Sequence, residues 1–482
     1  MQCKDINIDL IRQEFEKTIT ELENNIKTNE VIHSVENKIF KNLLHIGYLL
    51  LQFYIKGIFS QSRMKNKEYR KSGLKNCGLK KRTLRTIFGA VEIIRFKFYD
   101  TINKKVVYPF DLEYKIGDIK FSYTLQDWIG KAATENTYQE SVSDINRIFG
   151  LNLAAMQSER IATQMSEKVE KFYCQKDYSK QIEGKFFAAG FDDKGVPIRA
   201  GSLGREADSN AVRLSKGQKR DVQRHSTVSV TYSFNERCRT SEDVISSLFK
   251  EKKKEKIEPL EKQTTAQHKH IRAFMNDKEK AIEYGFNQIV KRNGGTSKPI
   301  VVLIDGDRGL EHAVNRVAER MKLTDRIDAK VLDFIHVTEY VWKAANVHFG
   351  EKSNQRELWV KQQCKLLLDS QTEAVIESMQ GLLVEHKGNK GKERDLESVI
   401  KYFTNHKHMM DYASYLKKGY PISTGAIESA CGHFVQNRMQ RNGMHWSPNG
   451  AQNMLNLRAI NKNKDWDDFM DYTINLDYQE AA

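Results

Sequence analysis

The chain has 482 residues, of which 39% are hydrophobic and 29% charged. That apolar content is enough for about three domains of roughly 150 residues each, and it excludes disorder as the main state. Lysine and arginine number 78 against 63 aspartates and glutamates, a net charge of +15. An excess of this size makes a polyanion, nucleic acid first, the partner class to weigh against a plain solvated basic surface.

Six cysteines (Cys3, Cys77, Cys174, Cys238, Cys364 and Cys431) are scattered, with no two within five residues. This spacing excludes a zinc ribbon, a zinc finger and a disulfide scaffold, and it suits a reducing cytosol. The start MQCKDINIDL lacks the basic-then-apolar pattern of a secretory signal. A cytoplasmic, nucleoid-associated protein with no membrane partner is expected.

The first predicted element is an amphipathic helix. Ile8, Ile11, Phe15, Ile19, Leu22 and Ile26 recur every three or four residues. It either packs on its own domain or self-associates as a short coiled coil. Residues 39–59 form the most apolar stretch. Lys41, Asn42, His45, Gln52 and Lys56 interrupt it, so a buried soluble helix is expected rather than a lipid-spanning one.

Ten basic residues and one acid, Glu68, lie between Arg63 and Arg85. That is more than half of the chain's excess charge, at a density that suits phosphate contact. Lys80, Lys81, Arg82 and Arg85 are the candidate contacts. A strand is predicted over 86–99. Two short helices follow within 138–169, separated by the turn Gly150-Leu151-Asn152. The outline fits a helix-turn-helix, and equally any helical hairpin.

From Gly184 the pattern changes. KFFAAGFD and STVSVTYSF (226–234) read as strands, with a second basic stretch containing Lys216, Lys219 and Arg220 between them. The charged run 250–262 reads as an exposed connector. A helix is predicted over 271–290, a buried strand over 299–307, a helix over 310–321, a strand over 329–337 and a helix over 338–349. Strands alternating with helices give a mixed α/β sheet with helical crossovers. Residues 357–418 are helical throughout, and helices are predicted near 424–440 and 450–460.

Two buried strands end in acids: Asp192 and Asp193 after AAGF, and Asp305 and Asp307 in LIDGD. Ligands of open α/β sheets gather at strand ends. A carboxylate there faces solvent or shares a cation, since burial alone is costly. Two such ends in a basic protein favour a cation, and hard carboxylate oxygens favour Mg²⁺ or Mn²⁺. Glu428, in STGAIESACGHFV, is the third acid. Its small neighbours Ala426, Ser429, Ala430 and Gly432 would let its helix approach the sheet closely.

These residues also carry a resemblance. The segment from Asp192 to Pro197 resembles the first-aspartate segment of bacterial insertion-sequence transposases of the ISKra type. LIDG (303–306) is similar to their second-aspartate strand, and DFIHVTEYVWKAA (333–345) to the strand and helix after it. YPISTGAIESACGHFVQNRMQRNGMHW (420–446) resembles their glutamate segment and is the most specific of the four. TIFGAVEIIRFKFYD (86–100) resembles their N-terminal portion, so the likeness runs from about residue 80 onward. Asp333-x-x-His336 resembles a motif of several transposase families with a helical insertion before the glutamate.

The resemblance implies an RNase H-like catalytic core interrupted by an all-helical insertion, behind a largely helical N-terminal DNA-binding region. The implied division is 1–60 helical, 61–183 DNA-binding, 184–350 first part of the core, 351–420 insertion and 421–482 final part of the core. It further implies a DDE triad of Asp192, Asp305 and Glu428 holding two Mg²⁺ or Mn²⁺ ions, with Asp333 and His336 as accessory residues. The family pattern has glycine where Asp193 stands, so Asp192 and Asp193 both remain candidates. Successive strand residues face opposite ways, so only one can point into the site. His336 would position substrate or serve as a structural hydrogen-bonding residue. Arg438 and Arg441 would contact DNA near Glu428 or cover their helix, and Trp446 reads as packing.

The implied partners are double-stranded DNA, as transposon ends and target, and a second copy of the chain on DNA. The implied activity is metal-dependent hydrolysis at the transposon end and joining of the freed 3′-OH to target DNA. An RNase H-like nuclease without strand transfer, and a non-catalytic DNA-binding repressor or domesticated transposase, are the competing readings.

Overall fold

The computed structural model describes residues 6–71, 73–199, 223–249, 266–294, 297–349, 353–423, 425 and 432–481. The protein is mixed α/β and divides into two units. One comprises residues 1–174 and 464–482, the other residues 175–463. The Lys216–Arg220 stretch, the 250–262 run and Glu428 fall outside the described residues.

The first unit opens with helices Ile8–Lys27 and Ile32–Met64. Ile11 of the first packs on Ile46 and Leu49 of the second. Farther along, Ile55 and Ile58 share a core with Val91, Ile93 and Phe110. The long helix is not the fully buried element expected: Phe40, Leu43, Leu50, Phe53 and Tyr54 stay exposed. At 1.5 Å per residue its 33 residues extend about 50 Å, and only one stripe is covered. Its length and apolar content would also suffice to cross a membrane.

A three-stranded antiparallel sheet follows: β1 (Leu74–Thr86), β2 (Gly89–Asp100) and β3 (Lys105–Val107). The basic stretch is therefore split between helix ends and β1, which carries Lys75, Lys80, Lys81, Arg82 and Arg85 in a region expected to be mainly helical. Next comes a cluster of helices Tyr123–Glu135, Tyr138–Phe149 and Ala155–Ser166, with Leu125, Ile129, Val142, Ile145, Ile161 and Met165 buried. Thr137 and Glu140 form a capping box at the start of the second helix, and Gly150 ends it in the left-handed conformation. The helix–turn–helix outline is thus present. The exposed side of its second helix carries Met156, Glu159 and Arg160, with no excess of positive charge.

Helix Trp466–Ala481 belongs to this first unit, not to the final part of the sheet domain as expected. Trp466 donates its indole N–H to Asp127 at 2.6 Å, and Phe469 packs edge-on against Phe172.

The second unit is built on a five-stranded sheet of β4 (Phe186–Pro197), β5 (Gln223–Phe234), β6 (Gln267–Met275), β7 (Ile300–Ile304) and β8 (Ile327–Leu332). The spatial order is β6-β5-β4-β7-β8. β4 runs antiparallel to β5 and parallel to β7; β5 and β6 are antiparallel, and β7 and β8 parallel. β7 is a run of five fully buried aliphatic residues, as a parallel strand covered on both faces requires.

Several boundaries differ from expectation. β4 does not end at Asp192 and Asp193 but runs on to Pro197, and β7 stops at Ile304, so Asp305 and Asp307 follow it. Residues 267–275 form a strand, and the helix starts only at Lys278, where Asp277 accepts the Lys280 N–H. β8 stops at Leu332, because Asp333 caps the helix Phe334–His348. After β8 the chain is helical: Asn354–Leu368, Thr372–Glu385, Lys390–His406 and Tyr412–Lys418. Buried Cys364, Leu367, Val375, Met379, Leu396 and Phe403 make up much of its core. Helix Pro448–Lys462 then packs on the sheet beside β6, with Asn463 bonded to both backbone groups of Ile271.

Candidate active site

The alternation of β4 separates its two acids. Phe191 meets Phe286 of the helix Lys278–Arg292, so Asp193 faces that helix. Phe186, of opposite parity, meets Tyr420 on the other face, which is also the face of Asp192. Asp193 is fully engaged: it accepts the Thr227 hydroxyl at 2.5 Å and pairs with Lys278 at 2.9 Å. Lys278 also binds Asp307 at 3.0 Å, and Asp307 caps the helix Arg308–Arg320 through the N–H groups of Gly309 and Leu310. Burial would raise the Asp307 carboxyl, but Lys278 holds it below the usual carboxylate range. Asp193 and Asp307 are thus joined through one lysine. No pattern in the sequence singled out Lys278.

Asp192 and Asp305 come together instead. β4 and β7 are parallel and pair as far as Gly190 and Leu303, each carrying its acid two residues farther on, and the charge of Asp192 acts on Asp305. Asp192 is 9% exposed and pairs with Lys194 at 2.9 Å. Asp305 accepts the Asp307 N–H at 3.0 Å. Burial pushes the Asp305 carboxyl above its ordinary value; the charge of Asp192 adds to this, against the opposing pull of the Asp307 N–H and His336.

Asp333 is buried next to this pair. Its N–H donates to the Ile304 carbonyl at 2.8 Å, one residue before Asp305, and its carboxylate caps the following helix through Ile335. His336, one turn into that helix, reaches Glu339 at 3.4 Å. Both flanks of the glutamate segment lie at the same end of the sheet. Ile422 accepts the Phe334 N–H at 2.8 Å, and Gln440 donates to the Gly195 carbonyl at 2.6 Å, three residues past Asp192. Glu428, between these flanks, lies outside the described residues.

Two neighbouring hard carboxylates, one raised partly by the other's charge, suit a shared divalent cation. Two carboxylates are an incomplete set. Among the described residues no group of three or more histidine, cysteine, aspartate or glutamate side chains could hold a metal. A third ligand would have to come from outside them.

The expected DNA contacts divide. Lys80 and Lys81 are exposed on β1, Lys81 pairing with Glu92 at 2.9 Å. Arg82 is a correction: it stands opposite buried Ile93 and so points inward. It bonds Asp111 at 3.1 Å and the carbonyls of Gly117 and, at 2.7 Å, Ile119. Arg85 is half-buried and reaches Gln157 at 3.4 Å. Arg438 is a second correction. It is 1% exposed, lies 4.9 Å from the Trp446 ring centroid and contacts Met444 at 3.1 Å. The inward acceptors of Arg82 account for the first burial, and the fold-back of Trp446 onto Met439 for the second. Trp446 itself packs as expected, donating to the Met439 carbonyl at 3.0 Å. Arg441 is half-buried, and Lys216, Lys219 and Arg220 lie outside the described residues. No protein-family model matches the chain, and no curated protein matches it either.

Proposed function

We propose that the protein is a DDE-type transposase, with an RNase H-like catalytic unit and a helical insertion between β8 and the glutamate segment. The observation that carries this reading is the proximity of Asp192, on β4, to Asp305, just past the end of the parallel strand β7, close enough for the charge of one to raise the carboxyl of the other. The neighbouring acids Asp193 and Asp307 are tied to Lys278 instead. The flanks of the Glu428 segment meet the same end of the sheet. Those three acids are the ones that match the motifs of ISKra-type transposases.

Asp192, Asp305 and Glu428 would hold Mg²⁺ or Mn²⁺. When bound, such cations supply activation of water and neutralisation of phosphate charge. The chain's own residues set where this happens. The N–H of Asp307 orients Asp305, and Lys194 balances the charge of Asp192. In the first step, water oxygen bonds to phosphorus and the bond to the 3′-oxygen breaks, leaving a 3′-OH. In the second step, that 3′-OH bonds to a target phosphorus and displaces the target's own 3′-oxygen. Pairing two ends calls for two protomers on DNA.

The decisive experiment incubates the protein with Mg²⁺, a target plasmid and DNA carrying the flanks of its own gene. Joined product is expected. Cut DNA without joining would make the protein a nuclease, and bound but uncut DNA would make it a repressor.

Affinity for DNA should fall steeply with salt. Each phosphate contacted contributes a slope of about −0.9 in log K against log salt. Replacing Lys80 and Lys81 together by alanine should flatten the slope by up to about two units, equally on end DNA and random DNA. An unchanged slope would leave these lysines no part in binding, and a loss confined to end DNA would mean they read bases.

A further inference from the structure

The helical segment after β8 sends one side chain to the carboxylates. Tyr402, on the helix Lys390–His406, is 8% exposed. Its ring lies flat on Tyr340, with centroids 3.6 Å apart and planes 7° from parallel. His406 packs on it from one turn along, at 4.6 Å. These contacts fix the ring and leave its hydroxyl over Gly306, the residue after Asp305. A Cβ on Gly306 would lie 2.9 Å from that hydroxyl, and φ is +98° there, so glycine serves both the turn and the close approach.

The hydroxyl is a donor at working pH. Burial, then the charges of Tyr340, Asp305 and Asp333, hold the phenol well above its ordinary range. Yet it has no hydrogen-bond partner among the described residues. Tyr412, buried nearby, donates to the Leu332 carbonyl at 2.9 Å. Leaving a buried hydroxyl unpaired is costly, and phenylalanine would fill the same stack without that cost.

We propose that the Tyr402 hydroxyl is a ligand-binding donor of the Asp192–Asp305 site. It donates to an oxygen brought there, either a phosphodiester oxygen or a water held by a divalent cation. This rests on the reading of that site as one that cleaves phosphodiesters.

Tyr402→Phe in the full chain keeps the ring stack and removes only the donor. Mn²⁺ binding is measured by calorimetry without DNA, and Mn²⁺-dependent cleavage of gene-flank DNA gives kcat and KM. A hydrogen bond to a charged or metal-polarised oxygen corresponds to a loss of roughly 10–100-fold. Weaker Mn²⁺ binding by that factor assigns the oxygen to a metal-held water. Intact Mn²⁺ binding with kcat down by that factor and KM within about twofold assigns it to the phosphodiester. No change in either quantity overturns the proposal. Asp305→Asn is the control. If it abolishes Mn²⁺ binding while Tyr402→Phe changes nothing, only the role of Tyr402 fails. If Asp305→Asn leaves Mn²⁺ binding intact, the reading of the site fails, and the proposal with it.

Discussion

Asp305→Asn should abolish cleavage while leaving DNA affinity unchanged, and without divalent cations it should make the protein more heat-resistant. Loss of a residue that acts as part of a catalytic unit costs roughly 10³-fold or more. Stability should move the other way because the carboxylate is held at a cost. Burial, with the charge of Asp192 adding, raises the Asp305 carboxyl above its unfolded value. An acid raised in the folded state destabilises once pH passes its unfolded value. The penalty is complete above its folded value and disappears in acid. Asparagine removes the charge and keeps an acceptor for the Asp307 N–H. In a unit of this size the gain should appear as a rise of at most a few degrees in the melting midpoint. Thermal melts in chelator at pH 7 and pH 4 measure it: the variant should lead at pH 7 and the gap should narrow at pH 4. A variant less stable than wild type at pH 7 would mean that Asp305 serves the fold and not a cation.

Arg82→Ala should destabilise the first unit rather than weaken DNA binding alone. The Arg82 and Asp111 side chains are 9% and 10% exposed, and Arg95 closes on the same carboxylate. Arg82 also satisfies the carbonyls of Gly117 and Ile119. Removing one partner of a buried pair costs about 3–5 kcal/mol. Urea denaturation should show that loss for Arg82→Ala, while Lys80→Ala, an exposed change on the same strand, stays within about 0.5 kcal/mol of wild type. A stable Arg82→Ala protein with a flattened salt dependence would return Arg82 to the DNA surface.

These outcomes bear on how far the residues alone carry the argument. The mixed sheet, its buried strands and the helical run after it are legible in hydrophobic period and turn residues. The four acids are legible as well, although β4 runs on through Asp192 and Asp193 instead of ending at them. β6 was missed because IRAFM, a short apolar run just before a helix cap, fits the start of that helix as well as a strand. Asp333 shows the same ambiguity from the other side: it closes β8 and opens a helix, and period alone runs the strand through it.

Sequence determined which residues alternate, and therefore that Asp192 and Asp193 must part. Which of them meets Asp305 depended on the face of β4 that the helix Lys278–Arg292 covers, a matter of tertiary packing. Charge density marked Lys80 to Arg85 as one basic patch. Cross-strand pairing turned Arg82 inward and left Lys81 on the opposite, exposed face; Lys80 shares the face of Arg82 yet stays exposed, because Asp111 and the Gly117 and Ile119 carbonyls engage Arg82. Tyr402 carried no signal at all. It sits in an ordinary helical repeat about a hundred residues from Asp305, and only the folding of that helix against the helix Phe334–His348 brings its hydroxyl over Gly306.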